Sequence, residues 1–185
     1  FLKSGAEDSS LFWLARFPMT RAVVRAMDVI QEINKSEKSN INSFFVAGAS
    51  KRGWTTWTTA AVDRRVVGIS PIVIDMLNVV PNFDHHYQCY GEFSPAVQEY
   101  VNYKIVDWMD SQEYDKLIAQ VEPYNFKEKF TMPKFVINAA SDEFFVTDSW
   151  QFYWDDVPGE KHLRYVPNAG HSLEGTYQLE NIASF

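Results

Sequence analysis

Three residues of types that together can split an ester or an amide occur along this chain, each just after an apolar stretch. In chain order they are Ser50, Asp142 and His171. A serine hydroxyl is a weak nucleophile at neutral pH, so a histidine must accept its proton during attack and return it to the leaving group. A carboxylate fixes the tautomer of that histidine. The three residues therefore predict hydrolysis through an acyl-enzyme on Ser50.

Ser50 lies at a bend between an apolar run and a helical pattern. A serine at a tight strand-to-helix turn has a strained backbone, and small neighbours must let the strand and the helix approach each other. Gly48 and Gly53 supply these small residues, but Arg52 occupies the place of the second glycine in the usual G-x-S-x-G pattern. The backbone N–H of Lys51 is expected to stabilise a developing oxyanion.

Each of the three residues also has a purely structural interpretation. Ser50 and Asp142 could each cap the helix that follows, because Ser and Asp are favoured N-caps. Glu143 is an alternative acid, although Asp142 lies nearer to the end of the predicted strand. A histidine in a loop, as His171 is, is commonly a surface residue. The occurrence of all three residues in one order favours catalysis.

Further polar residues are candidates for binding. Asp84, His85 and His86 could hold a metal, but adjacent histidines in a loop point apart, and no cysteine or third histidine stands at ligand spacing. We therefore expect no metal and no cofactor. His85 and His86 could instead pack the loop or line a substrate cleft. Lys51 and Arg52 could bind an anionic group of a substrate or could cover the helix, and the sequence favours neither.

The elements that must position these residues form the pattern of a parallel sheet covered by helices. Runs that are apolar on both faces are typical of such a sheet, and its functional groups lie at the carboxyl ends of the strands. Strands are predicted at 43–47, 66–74, 135–138 and 163–166, and helices at 22–33 with Thr20 as N-cap, 51–62, 146–157 and from Glu174 onward. Pro71 is expected to end the pairing of the second strand.

The segment 75–130 contains no predicted strand. Helices are expected near 95–109 and 111–120, and the whole segment is predicted to be a cap-like helical insertion. Such an insertion covers one edge of a sheet and would set the substrate.

Composition and charge exclude several classes of protein. The net charge is −7 and the cations are scattered, so a nucleic-acid partner is not expected. No apolar run approaches the roughly 18 residues of a membrane span. Cys89 is the one cysteine, so no disulfide can form within the chain. The expected partner is a small-molecule or peptide substrate, and the sequence does not indicate an oligomeric state.

The order nucleophile, acid, histidine is the one that α/β-hydrolases use. The predicted fold is therefore α/β, as the C-terminal portion of a mostly parallel α/β-hydrolase sheet flanked by helices, within one domain at 1–185. About four strands precede the nucleophile strand in that fold, whereas some forty residues with one helix precede it here. Because the chain also begins at Phe1, we expect it to be part of a longer protein that supplies the second oxyanion donor.

The stretch GASKRGWTTW at 48–57, followed by AAVD at 60–63, resembles the PhoPQ-activated pathogenicity-related family, which includes autocrine proliferation repressor-like proteins. Segments at 18–20, 22–27 and 84–87 are similar to it as well. The position of Gly53, one residue later than in the usual motif, is also similar to the glucuronoyl esterases, in which a cation follows the serine as Lys51 does here. The family resemblance implies an α/β-hydrolase domain with Ser50, Asp142 and His171 as its triad, and a secreted or periplasmic location.

Two functions are compatible with these observations. The first is a serine hydrolase, either esterase-like or peptidase-like. The second is a secreted signalling or virulence-associated interaction protein that keeps the hydrolase scaffold with little or no catalysis. The retention of all three candidate residues favours the first.

Overall fold

The computed structural model describes residues 1–36 and 40–185, and the four strands found there form one parallel sheet. The strands are β1 (Phe44–Ala49), β2 (Val66–Ile72), β3 (Lys134–Ala139) and β4 (Lys161–Val166), in the order β1-β2-β3-β4. The α-helices of the same residues are α1 (Arg16–Ser36), α2 (Lys51–Val62), α3 (Val79–Tyr90), α4 (Gln98–Asn102), α5 (Gln112–Val121) and α6 (Gln178–Ala183). Short 3₁₀ helices lie at Leu2–Ser4, Asp8–Trp13, Pro95–Val97, Val106–Trp108, Pro123–Lys129 and Ser149–Phe152.

Both faces of the sheet are covered, as the apolar runs predict. Val136 and Ile137 are consecutive in β3 and therefore point to opposite faces. Val136 belongs to a core with Trp57 of α2, whereas Ile137 belongs to a second core against which Ile182 of α6 packs. The fold class predicted from the sequence is confirmed.

Helix α2 is buried almost all round, although it contains four threonines. Their hydroxyls are satisfied: Thr59, for example, donates to the carbonyl of Thr55 at 2.7 Å. Thr58 is hydrogen-bonded to Thr20 of α1 at 2.6 Å, which joins the two helices. Thr20 was predicted to be an N-cap, and this is wrong because α1 begins at Arg16 and the Thr20 hydroxyl bonds back to the Arg16 carbonyl.

Strand β2 continues through Pro71, so the prediction that pairing stops there is also wrong. The N–H of Ile69 donates to the carbonyl of the residue just before β3 at 3.1 Å, and the N–H of Val73 donates to a carbonyl of β3 at 2.7 Å. Pro71 lies between them and has no N–H to donate. The Ser70 hydroxyl replaces it and donates to the Phe135 carbonyl at 2.7 Å. A side chain thus supplies the hydrogen bond that proline cannot make.

The segment 75–130 is helical, but its helices differ from those predicted. Helix α3 was not expected, and it places His85 and His86 on a helix instead of in a loop. Its buried residues Val79, Asn82, Phe83 and His86 follow helical spacing, and the two polar members conceal the pattern. Helix α5 is close to the prediction, whereas 95–109 contains α4 and two short 3₁₀ helices.

The helix predicted at 146–157 is replaced by turns around a single 3₁₀ helix. Carbonyl groups of this segment accept hydrogen bonds from side chains outside it. Asn78 donates to the Phe152 carbonyl at 2.9 Å, and Lys161 donates to the carbonyls of Trp154 and Val157. Helical spacing alone could not reveal these competing donors.

The carboxyl-terminal helix is shorter than predicted, since α6 begins at Gln178. None of the helices in the described part of the chain is both long and apolar enough to cross a bilayer.

Candidate active site

Ser50 occupies the turn between β1 and α2 in a conformation that is unusual for serine. Its φ is 54° and its ψ is −123°, a strained region for a residue with a Cβ atom. Its N–H donates to the Ile72 carbonyl at 2.8 Å, which fixes the turn against β2. The turn therefore presents the hydroxyl at the carboxyl end of the sheet.

Gly48 and Gly53 make this turn possible. A Cβ atom on Gly48 would lie 2.7 Å from the Arg52 carbonyl oxygen, and one on Gly53 would lie 2.7 Å from an Ile74 methyl group. Strand and helix thus approach too closely for any side chain. The glycine at position 53 performs this role even though Arg52 interrupts the usual motif.

The three predicted residues form one hydrogen-bonded row. His171 Nε2 lies 2.8 Å from Ser50 Oγ, and His171 Nδ1 lies 2.9 and 3.0 Å from the two carboxylate oxygens of Asp142. The side chain of Asp142 is 3% exposed and that of His171 is 14% exposed. The row is therefore largely shielded from water, and its histidine contacts a hydroxyl on one side and a carboxylate on the other.

Asp142 and Glu143 have separate partners. The Asp142 carboxylate accepts hydrogen bonds from the N–H groups of Phe144 and Phe145 at 2.8 and 3.3 Å, which orient it toward the His171 ring. Glu143 instead accepts from the backbone N–H of His171 at 3.0 Å, and that bond holds the pKa of Glu143 below its usual range. Asp142 therefore contacts the imidazole, and Glu143 holds the loop that carries it.

Two aromatic rings enclose the histidine. The centre of the Phe144 ring lies 4.3 Å from the centre of the His171 ring, and the centre of the Phe145 ring lies 5.7 Å from it. They limit the orientations that the imidazole can take and exclude water from the row. The sequence suggests only packing for Phe145 and nothing for Phe144, because contact with the histidine depends on the loop conformation.

Lys51 is the first residue of α2. Its backbone N–H therefore belongs to the first turn of the helix, where the N–H groups have no acceptor within the helix. Arg16 approaches the same residue from α1: its Nη1 donates to the Lys51 carbonyl at 3.2 Å, and its guanidinium lies 4.5 Å from the centre of the Trp54 ring. Nothing in the sequence points to Arg16, since it stands 34 positions before Ser50.

A cavity of about 470 Å³ opens beside Ser50. It extends from the start of α2 to the helices of the segment 75–130. Its aromatic wall consists of Trp54, Phe83, Tyr100, Tyr114, Phe144 and Phe145. A group bound in this cavity would have its end next to the Ser50 hydroxyl.

The structure does not bring Arg52, His85 and His86 to this cavity. Arg52 lines a separate groove between α1 and α2. His85 is hydrogen-bonded to Asp148 at 2.6 Å, and His86 is buried and accepts from the Ser94 N–H at 3.0 Å. Burial lowers the pKa of His86. Both histidines pack α3 against its surroundings.

No group of three or more His, Cys, Asp or Glu residues in 1–36 and 40–185 could hold a metal ion.

Asp75 is a buried acid close to the row but outside it. It is 2% exposed and accepts hydrogen bonds from the hydroxyls of Tyr153, at 2.6 Å, and Tyr165. Burial, to which the charge of Asp142 adds, raises the pKa of Asp75 to about 7. These contacts tie the chain after β2 to β4 and to the turns at 149–157.

Several solved structures are similar to this fold. An acetyl xylan esterase from Paenibacillus sp. R4 matches with a TM-score of 0.62 and 18% identity, over 87% of this chain and 48% of the esterase. An acylaminoacyl peptidase from Pyrococcus horikoshii matches with a TM-score of 0.60 and 9% identity, over 82% of this chain and 23% of the peptidase. The fold is that of the α/β-hydrolases, a hydrolase-like scaffold.

A curated relative is closer in sequence. Autocrine proliferation repressor protein A of Dictyostelium discoideum is 46% identical over 178 residues, which cover 95% of this chain. The chain spans 36% of the length of that relative. The profile of the PhoPQ-activated pathogenicity-related protein family matches residues 1–185. The family resemblance in the sequence is thereby confirmed, and the chain belongs to the PhoPQ-activated pathogenicity-related protein family.

Proposed function

We propose that this chain carries the catalytic centre of a serine hydrolase that cleaves an ester or an amide through an acyl-enzyme. The observation that carries the proposal is the row itself: Ser50 Oγ lies 2.8 Å from His171 Nε2, while Asp142 is bonded to the other ring nitrogen. A hydroxyl and a carboxylate on opposite nitrogens of one imidazole are what general-base activation of serine requires.

In this mechanism Ser50 Oγ attacks the substrate carbonyl while His171 Nε2 takes the hydroxyl proton. The new C–O bond forms as the carbonyl π electrons move to the oxygen, and the N–H of Lys51 donates to that oxyanion. The bond to the leaving group then breaks, and His171 returns the proton to the leaving group. Water repeats the sequence on the acyl-enzyme, which releases the acid and restores Ser50.

Two further observations support the proposal. The backbone strain at Ser50 is of a kind that clusters at functional sites, and Asp142 is buried with its carboxylate oriented by two backbone N–H groups. The similar solved structures also include esterases and peptidases by name. The extracellular or periplasmic location implied by the sequence resemblance is part of the same proposal.

A fluorophosphonate probe tests the proposal directly, because it reacts with an activated serine. The full-length protein should be labelled, and mass spectrometry should place the adduct on Ser50. Ser50→Ala should abolish labelling, whereas Ser141→Ala, which removes an exposed hydroxyl close to Asp142 in sequence, should be labelled as the wild type is. An unlabelled wild-type protein would show that the row is not a working nucleophile.

The name of the curated relative supports a second candidate function. A repressor of proliferation could act through binding, as a signalling or interaction protein on the hydrolase scaffold. The two candidates differ in their dependence on the row. If the biological effect of the protein survives Ser50→Ala and His171→Ala unchanged, binding accounts for it and catalysis does not.

A further inference from the structure

We propose that the cavity beside Ser50 binds the acyl part of the substrate, and that this acyl part is a large uncharged apolar group. The inference rests on the proposed hydrolase function and assigns the substrate class of that same site. It is carried by the chemistry of the cavity wall, by the side of Ser50 on which the cavity lies, and by its volume.

The wall of the cavity is predominantly apolar. The aromatic residues described above form one part, and the aliphatic residues Ile74, Met76, Val79, Leu117, Ile118 and Val121 form another. The charged residues of the wall do not offer their charge to the cavity. Arg16 stacks on Trp54 and donates to a backbone carbonyl, and Lys51 and Glu99 are exposed to water. An apolar group placed here would leave water without losing hydrogen bonds.

The position of the cavity relative to His171 selects the acyl side. Ser50 and Lys51 line the cavity, and so do Phe144 and Phe145, whose rings pack against His171; the imidazole itself is not among the described residues that line it. The leaving group must lie near His171, because that imidazole protonates it. The part of the substrate that stays on Ser50 therefore extends away from the imidazole and into the cavity.

The volume sets the size of the group. A cavity of about 470 Å³ lies within the range of about 300–1,000 Å³ of pockets that bury most of a drug-sized ligand. A medium-length acyl chain such as octanoyl fits a pocket of this class. An acetyl group would leave most of the cavity empty.

Ala96 offers a way to fill the cavity with one substitution. It is a small residue of the wall, on the 3₁₀ helix Pro95–Val97. Ala96→Phe should fill part of the space that the acyl chain would take. Ala119→Phe is the matched control, because Ala119 is exposed on α5 and does not line the cavity.

The first measurement is the kcat/KM of the full-length protein on p-nitrophenyl acetate and p-nitrophenyl octanoate. We expect kcat/KM to be at least about tenfold higher for the octanoate, since each buried methylene contributes to binding. Ala96→Phe should lower the ratio of the octanoate value to the acetate value about tenfold or more. Ala119→Phe should leave this ratio unchanged. Equal values for both esters would overturn the inference while leaving the hydrolase proposal intact.

The second measurement does not depend on catalysis. Calorimetric titration of Ser50→Ala with octanamide should detect binding, and acetamide should not bind. Ala96→Phe in the same background should abolish octanamide binding, and Ala119→Phe should leave it unchanged. Binding without hydrolysis of either ester would support the cavity assignment and reject the hydrolase proposal. No octanamide binding would overturn the cavity assignment.

Discussion

Two adjacent acids at the end of β3 differ only by one methylene group, yet the structure gives them different partners. Asp142 reaches both the His171 ring and two backbone N–H groups, so it is held in place from both sides. Glu143 reaches the backbone of His171 and not the ring. At the scale of single residues, the acid of the proposed mechanism is therefore Asp142.

This assignment predicts unequal effects of two isosteric substitutions. Asp142→Asn should lower kcat for ester hydrolysis by about four orders of magnitude, because the amide favours the wrong imidazole tautomer. Glu143→Gln keeps an oxygen that can accept from the His171 N–H and should lower kcat by less than about tenfold. Both are measured by steady-state kinetics on folded protein. A larger loss for Glu143→Gln than for Asp142→Asn would reverse the assignment.

Ser50 could be identified from its neighbours, whereas the environment of its partner residues could not. Gly48 and Gly53 flank it at spacings that a tight strand-to-helix turn needs. Arg52, the residue that breaks the usual motif, lines another groove. A part in substrate binding was predicted for Arg52, His85 and His86 because they are polar, but polarity alone does not decide which cavity a side chain faces.

At the scale of elements, the contact between β1, α2 and the end of β2 determines where the nucleophile stands. Gly53 lies in the first turn of α2, and a Cβ atom there would lie 2.9 Å from the Gly48 carbonyl oxygen and 3.1 Å from the Ile72 carbonyl oxygen. Backbone atoms of a parallel sheet cannot move aside as a flexible side chain can. The glycine is thus required by space and not by its own backbone angles.

Gly53→Ala should therefore act against the usual trend. Alanine normally stabilises a helix interior by about 1 kcal/mol relative to glycine. Here we expect the free energy of unfolding in urea to fall by about 1–3 kcal/mol, because the added methyl group overpacks the contact. Labelling of Ser50 by the fluorophosphonate should also become slower, since α2 must shift.

Gly91→Ala is the matched control for this prediction. Gly91 follows α3 with a φ of 72°, and a Cβ atom there would meet nothing within 4 Å. The substitution should lower the free energy of unfolding by about 1–2 kcal/mol, because alanine is strained in the left-handed backbone conformation of this position. It should leave the labelling of Ser50 unchanged. A stabilised Gly53→Ala variant would contradict the packing argument.

At the scale of the whole molecule, Asp75 joins parts of the chain that are distant in sequence. It follows β2, and its two tyrosine partners lie 78 and 90 residues later. Because burial raises the pKa of Asp75 to about 7, the folded protein binds a proton there that the unfolded chain releases at lower pH. Ionisation of this carboxyl group therefore opposes folding.

Through Asp75, the free energy of unfolding should consequently fall as pH rises from about 5 to about 8, because at this carboxyl group the folded state binds more protons than the unfolded state. Buried Glu122, whose pKa is also raised to about 7, contributes in the same direction. Asp75→Asn should reduce this fall, as measured by urea unfolding at both ends of the range. Asp84→Asn, on an exposed residue of α3, should not change it. A fall of the same size in Asp75→Asn would show that Asp75 is ionised in the folded protein at both pH values.

The sequence by itself determined the fold class, the order of the strands along the chain and the three residues of the hydrogen-bonded row. These follow from local causes: apolar runs form buried strands, glycines permit a tight turn, and polar residues follow the carboxyl ends of the strands. The boundaries of α2 could be predicted to the residue, because Ser50 precedes it at the turn and Asp63 ends its apolar pattern.

The tertiary structure decided what depends on contacts between distant residues. The segment 146–157, whose spacing predicts a helix, instead forms turns in which carbonyl groups accept hydrogen bonds from Asn78 and Lys161. Helix α3 buries polar residues because partners elsewhere satisfy them, as the Ser94 N–H does for His86. The cavity beside Ser50 arises where α2 faces the helices of the segment 75–130. Short stretches of sequence identify the residues of the row, whereas the shape of the cavity depends on packing between residues that are distant in sequence.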